Sequence, residues 1–167
     1  RLLKGRLKRT PADVPAILPE LAHVSESWLR LKGETEKGFS VGRFAPAYLT
    51  QFDCAILRVD GRIVAFANIL ATADRDELSV DLMRHLPDMP YGAMDYLFTQ
   101  LMLRGRDQGY RWFNLGLAPL SGLPARKLAP IWARLGGLLY RHGDALYGFE
   151  GLRAYKAKFA PVWEPRY

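Results

Sequence analysis

The segment CAILRVDGRIVAFANIL, Cys54 to Leu70, holds two apolar runs rich in β-branched and aromatic residues, separated by Asp60-Gly61. Asp-Gly supplies the two residues that most readily take positive φ, as a two-residue turn between twisted strands requires. The segment therefore predicts a tight antiparallel hairpin. Downstream, ELSVDLM (77–83) alternates Leu78, Val80 and Leu82 against Ser79, Asp81 and Met83, the period of a strand. HLPDMPYG breaks it. From Gly92 to Gln108, Met94, Leu97, Phe98, Leu101 and Met102 share one helical face, and Gly109 is placed to end that helix. RWFNLGLA (111–118) then reads as a buried strand, LAPIWARLGGLLYRHG (128–143) as a second helix, ALYGFE (145–150) as a strand and GLRAYKAKF (151–159) as a helical turn before the tail.

Upstream, Thr10 precedes a helical region in which Val14, Ile17, Leu18, Leu21, Val24 and Trp28 recur at helical spacing, with Pro15 and Pro19 as possible breaks and Gly33 as its end. A polar stretch runs to Phe44, and a short apolar segment, Ala47–Phe52, leads into the hairpin. Three antiparallel strands followed by a strand–helix–strand crossover predict an α/β fold with a mixed, mostly antiparallel sheet flanked by helices. No repeat, low-complexity tract or linker interrupts 1–167, so a single domain is expected.

The 167 residues, 49% hydrophobic and 25% charged, suffice for a core without disulfides, and one cysteine excludes an intramolecular disulfide or a cysteine-clustered zinc site. Cys54 reads as a small core residue. The net charge of +7 is unevenly spread: residues 1–10 carry five positive and no negative charges, 11–122 eleven and fourteen, and 123–167 eight and three. Basic ends around a near-neutral body suit an anionic partner. No apolar run is long enough for a membrane span and no signal-peptide core is present. The first residue is not Met, which suggests a piece of a longer protein.

A mixed sheet of this order places its site at the carboxyl ends of the central strands, where the parallel pair splays. Asp81, Arg84, His85 and Asn114 fall there. Asp81 and Arg84 either flank a pocket mouth or form a salt bridge. His85 is of the residue type most often used as a general base. No metal-ligand spacing and no nucleophile signature is present, so neither metal nor covalent catalysis is expected. In the tail, Arg153, Lys156, Lys158 and Arg166 alternate with Tyr155, Phe159, Trp163 and Tyr167, a pattern that either holds phosphates or closes the sheet.

GFSVGRF (38–44), ELSVDLMRH (77–85), PYGAMDYL (90–97), FNLGLAPLS (113–121) and above all GLRAYKAKFAPVWEPRY (151–167) resemble the carboxy-terminal catalytic domain of aminoacyl-phosphatidylglycerol synthases, the multiple peptide resistance factor family. The resemblance implies an N-acetyltransferase-like fold. It implies transfer of lysine or alanine from aminoacyl-tRNA to the glycerol hydroxyl of phosphatidylglycerol, which lowers membrane negative charge and the attraction of cationic peptides. It also implies a membrane-spanning portion elsewhere in the same protein, with this domain on the cytoplasmic side of the cell membrane. Acetyltransferases of this fold hold coenzyme A on a Gly-rich loop before the long helix. Here RHLPDMPYGAM (84–94) stands in that place with one glycine, so coenzyme A is not expected and no cofactor is implied. Acyl transfer between esters needs a base for the hydroxyl and support for an oxyanion. With the family in view, Asp81 is expected as base or as anchor for the donor ammonium, Arg84 as a phosphate ligand, and Glu150 as a third catalytic candidate. His85, Asn114, Arg153, Lys156 and Lys158 are expected to bind substrate. The competing readings are a coenzyme A-dependent N-acetyltransferase and a non-catalytic basic module that binds RNA or a membrane surface.

Overall fold

A computed structural model describes residues 4–9, 11–33, 35, 42–116 and 149–164. The chain divides into two compact units, Arg1–Asn114 and Leu115–Tyr167, each described by itself. In the first, β1 (Lys4–Arg9), β2 (Asp53–Val59), β3 (Arg62–Ala71), β4 (Glu77–His85) and β5 (Trp112–Asn114) form one sheet in that order. The first three pairings are antiparallel and β4–β5 is parallel. The predicted mixed, mostly antiparallel α/β sheet is what the chain forms.

The hairpin forms as its turn chemistry dictates: Asp60 has φ 50° and Gly61 φ 83°, the left-handed pair of a type I′ turn. Ile63 to Ile69 of β3 are all buried, so both faces of the sheet are covered. Helix α1 (Val14–Lys32) lies against β3 and β4, and α3 (Ala93–Asp107) lies against β2 and β1. Val14, Ile17, Leu21 and Val24 of α1 and Leu97 and Leu101 of α3 join the core with Cys54, Ile56, Leu57 and Phe66. Burial pushes the Cys54 thiol up to about 12, with the Asp53 charge adding to it, as suits a core thiol.

Several expectations are corrected. Residues 4–9 form an edge strand, although a basic run carries no strand signal: the ladder offered by β2 recruits it. Pro15 and Pro19 do not divide α1. Pro15 sits in the first turn, where N–H groups lack partners anyway, and Pro19 removes one bond from a helix with a long buried face. Part of Ala47–Phe52 is a short helix, α2 (Pro46–Leu49). The predicted strand 111–118 shortens to three residues, with Trp112 and Asn114 exposed rather than buried. The predicted helix at 128–143 lies outside the described residues.

The strand read at β4 forms, with Leu78 and Leu82 buried and Ser79, Asp81 and Met83 half-buried, but its ladder is interrupted: two residues, Asp81 and Leu82, stand opposite the single Asn68 between the pairs Ala67–Met83 and Ile69–Val80. This is a β-bulge. Asn68 is fully buried and its Oδ1 accepts the Leu82 N–H at 2.7 Å, satisfying the donor that the bulge releases from the ladder. Asn68→Leu strands that N–H and is expected to cost about 1–3 kcal/mol. Thermal melting should show a loss of several degrees, and an unchanged transition would show that the cap carries no stability.

In the second unit, α4 (Phe149–Ala157) begins where the sequence suggested the end of a strand. Glu150 is therefore a first-turn helix residue, not a strand-end carboxylate; the rest of that expected strand lies outside the described residues.

Candidate functional site

The bulge decides where the Asp81 carboxylate goes. The Tyr48 hydroxyl, carried on α2, donates to Asp81 Oδ2 at 2.6 Å. On its other side Gly42 approaches so closely that a Cβ there would stand 3.0 Å from Asp81 Oδ1, and its φ of 83° independently favours glycine. Burial raises the Tyr48 pKa, and the hydrogen bond to Asp81 and that residue's negative charge raise it further. The Asn68 amide opposes the rise weakly, since its nitrogen makes no hydrogen bond of good geometry. Tyr48 thus stays a protonated donor at neutral pH and orients the carboxylate.

Arg84 answers the question left open by its spacing from Asp81. No ion pair joins the two. The Arg84 guanidinium carbon instead lies 4.0 Å from the centroid of the Trp28 ring, supplied by α1, and the residue is only 7% exposed. Across the ladder from Arg84 stands Phe66, fully buried, with Phe44 meeting its ring edge-on at 6.2 Å. A charged fork is therefore held in an aromatic frame, where its interaction with an anion is strengthened by the lower local dielectric.

His85 follows Arg84 on β4, and neighbouring strand residues point to opposite faces, so it does not share the Arg84 frame. Its Nδ1 lies 3.1 Å from the Leu86 carbonyl oxygen. Asn114 sits beside Ser79 at the end of the parallel pairing and donates to Glu77 Oε1 at 3.1 Å.

The loop between β4 and α3 offers few backbone donors. Leu86 donates to the Val64 carbonyl, Met89 to Leu86 and Ala93 to Pro90, while Pro87 and Pro90 have no N–H. Asp95 adds a negative charge to the first turn of α3. An anion gains little there, by contrast with an amide-lined helix entrance.

In the second unit, Lys156 is 6% exposed, and a Cβ on Gly116 would lie 3.7 Å from its Nζ. Burial lowers its pKa. The Arg153 guanidinium carbon lies 5.0 Å from the Trp163 ring centroid, and the Lys158 ammonium 5.2 Å from that of Tyr155. Val162 and Trp163 are exposed. Arg153 and Lys158 thus each stand against an aromatic ring of the tail, while Arg166 and Tyr167 lie outside the described residues.

Sequence reasoning missed Trp28, Tyr48, Asn68 and Gly42. Trp28 and Tyr48 lie in stretches that read simply as apolar. The one available signal was Asn68, an amide inside the otherwise apolar run IVAFANIL, which asks for a buried partner.

The sequence pattern of the family described as "Phosphatidylglycerol lysyltransferase, C-terminal" matches residues 7–167. The phosphatidylglycerol lysyltransferases of Staphylococcus haemolyticus and Staphylococcus aureus (strain MSSA476) are 40% and 39% identical to the chain over 149 residues, 89% of its length. The structure of L-PGS from Bacillus licheniformis superposes with a TM-score of 0.74 at 38% identity, covering 96% of this chain. A DUF2156 carboxy-terminal domain from Agrobacterium fabrum gives a TM-score of 0.81 at 44% identity over 99% of this chain. The chain spans 18% of the length of these two curated relatives and 47% and 48% of the two solved chains.

Proposed function

The chain belongs to the phosphatidylglycerol lysyltransferase carboxy-terminal family, and from that premise we propose that it transfers an aminoacyl group, lysyl or alanyl, from aminoacyl-tRNA to the glycerol hydroxyl of phosphatidylglycerol. In this reaction the lipid hydroxyl oxygen attacks the aminoacyl carbonyl carbon, the bond to the terminal ribose oxygen breaks, and the hydroxyl proton passes by way of a base to that leaving oxygen. One ester is exchanged for another. No external energy source or oxidant is needed.

The observation that carries the reading is the pairing of an oriented carboxylate with a buried, stacked guanidinium on one strand. Asp81, fixed by Tyr48, serves the lipid hydroxyl as base or the donor's ammonium as counter-charge. Arg84 takes a phosphodiester oxygen pair, because its planar fork matches that geometry. Glu150, His85 and Asn114 stand as further contacts to substrate. The remainder of the longer protein supplies the membrane-spanning portion, and the domain works at the cytoplasmic face of the cell membrane. Among the described residues no helix is long and apolar enough to cross a membrane.

The coenzyme A-dependent alternative is disfavoured by the loop 86–93, whose amides are largely engaged or replaced by proline. Calorimetric titration tests this directly: heat of binding is expected with aminoacyl-tRNA and none with coenzyme A. Saturable binding of coenzyme A would overturn the donor assignment.

The tail is proposed to contact substrate phosphates through Arg153, Lys156 and Lys158. Replacing Lys156 and Lys158 together by Gln is expected to weaken RNA binding and to reduce the slope of log K against log salt by about 1 to 2, one released counterion per lost contact. An unchanged slope in filter-binding titrations would show that neither lysine contacts the RNA.

A further inference from the structure

We propose that the turn after α4, Pro161 to Trp163, is a membrane-surface contact: Val162 and Trp163 enter the headgroup boundary of an anionic bilayer while Arg153 stays with the lipid phosphates. The proposal rests on the transferase reading, whose acceptor lies in a bilayer, and adds to it the surface by which the second unit meets that bilayer.

Helix α4 closes on tight turns: the N–H groups of Lys158, Phe159 and Ala160 donate to the carbonyls of Tyr155, Lys156 and Ala157. Ala160 takes φ 46°, the left-handed conformation that ends helices, and Pro161 does not resume one. The chain turns back, so that Trp163 reaches the helix flank, where the Arg153 guanidinium carbon lies 5.0 Å from its ring centroid. The aromatic residues of this stretch then divide. Tyr155 and Phe159 meet edge-on at 5.7 Å and are half-buried. Val162 and Trp163, side by side, are left 74% and 43% exposed. Apolar surface held out in this way gains free energy when another medium covers it.

Two residues are too few for a stable protein partner, which covers about 800 Å² on each side. A bilayer needs no matching pocket, and a Val–Trp tip beside a cation has the composition of an interfacial anchor, with the indole at headgroup level. Charge complementarity points the same way: residues 123–167 carry eight positive and three negative charges, and a phosphatidylglycerol surface is anionic. Arg153 can hold its guanidinium at phosphate depth while its stem lies along the indole. An RNA strand fits less well. Base stacking needs an open ring face, whereas Arg153 stands over the Trp163 ring and Val162 has no π face.

The test is flotation of the 167-residue chain with vesicles of equal parts phosphatidylglycerol and phosphatidylcholine, beside tRNA filter binding and label transfer. Val162→Ser is expected to lower vesicle partition about threefold and Trp163→Ser about tenfold, both with parent-like melting, while Trp163→Phe keeps most of it. On phosphatidylcholine alone the parent should partition about tenfold more weakly. Lipid brominated on its chains should quench the parent's fluorescence, and that quenching should vanish in Trp163→Phe. Affinity for tRNA should stay unchanged in the Val162 and Trp163 variants. In label transfer, these variants should lose activity on vesicles and keep it on detergent-dispersed phosphatidylglycerol. Parent-like partition of both Val162→Ser and Trp163→Ser would overturn the proposal, and a loss of tRNA affinity in place of vesicle affinity would assign the tip to RNA instead. Should Trp163→Ser fail to fold, Val162→Ser carries the same decision from a surface position. A parent that binds vesicles and transfers nothing overturns the transferase reading, a result distinct from an active parent whose variants partition unchanged.

Discussion

Asp81→Asn is expected to lower turnover about a hundredfold while the protein melts as the parent does, the usual scale for a positioned acid–base group. The substitution keeps shape, and Tyr48 can still donate to the side-chain oxygen of the amide, so the bulge and the α2 contact survive. What disappears is the negative charge. The two roles open to that charge separate kinetically. If it accepts the lipid hydroxyl proton, kcat falls with little change in KM for either substrate. If it anchors the donor ammonium, KM for aminoacyl-tRNA rises, and removing the ammonium from the donor reproduces the loss in the parent enzyme. Near-normal kinetics of a folded Asp81→Asn protein would make the carboxylate a structural partner of Tyr48 and nothing more.

Arg84→Lys should give the second-largest loss, about tenfold to a hundredfold in kcat/KM, the scale of one charge-assisted hydrogen bond. Were Arg84 merely the neutralising partner of Asp81, a lysine would serve as well, because it keeps the positive charge. The structure removes that premise: the guanidinium stacks on Trp28 and makes no ion pair with Asp81. Lysine keeps the positive charge near the ring but loses the fork. Steady-state kinetics beside a melting curve checks the prediction, and normal kinetics in a folded Arg84→Lys protein would contradict it.

Local chemistry made part of this architecture readable. Asp60-Gly61 between two apolar runs specifies a turn irrespective of what surrounds it, and the apolar stripe Leu97, Phe98, Leu101 specifies one face of α3. Elements stabilised by neighbours were not readable in the same way. The basic strand 4–9 exists because β2 offers it a ladder, and α1 runs through Pro19 because its buried face outweighs one missing bond. The site divides along the same line. Asp81 and Arg84 were visible as functional residue types at a strand end, but their separation depends on the bulge opposite Asn68 and on rings brought from α1 and α2. The strand-end placement of Glu150 went astray because ALYGFE has the composition of a strand, while Phe149 and Glu150 lie in α4.

The most direct test of the whole account follows the label. The full chain is incubated with phosphatidylglycerol vesicles and, in parallel, with lysyl-tRNA and alanyl-tRNA carrying labelled amino acid, and the lipid extract is counted. The account predicts label in the lipid fraction with one of these donors, dependent on phosphatidylglycerol and not supported by phosphatidylcholine, and a loss of about a hundredfold in Asp81→Asn. Salt-sensitive binding of tRNA and vesicles with no label in the lipid would contradict it and leave a basic binding module in place of an enzyme.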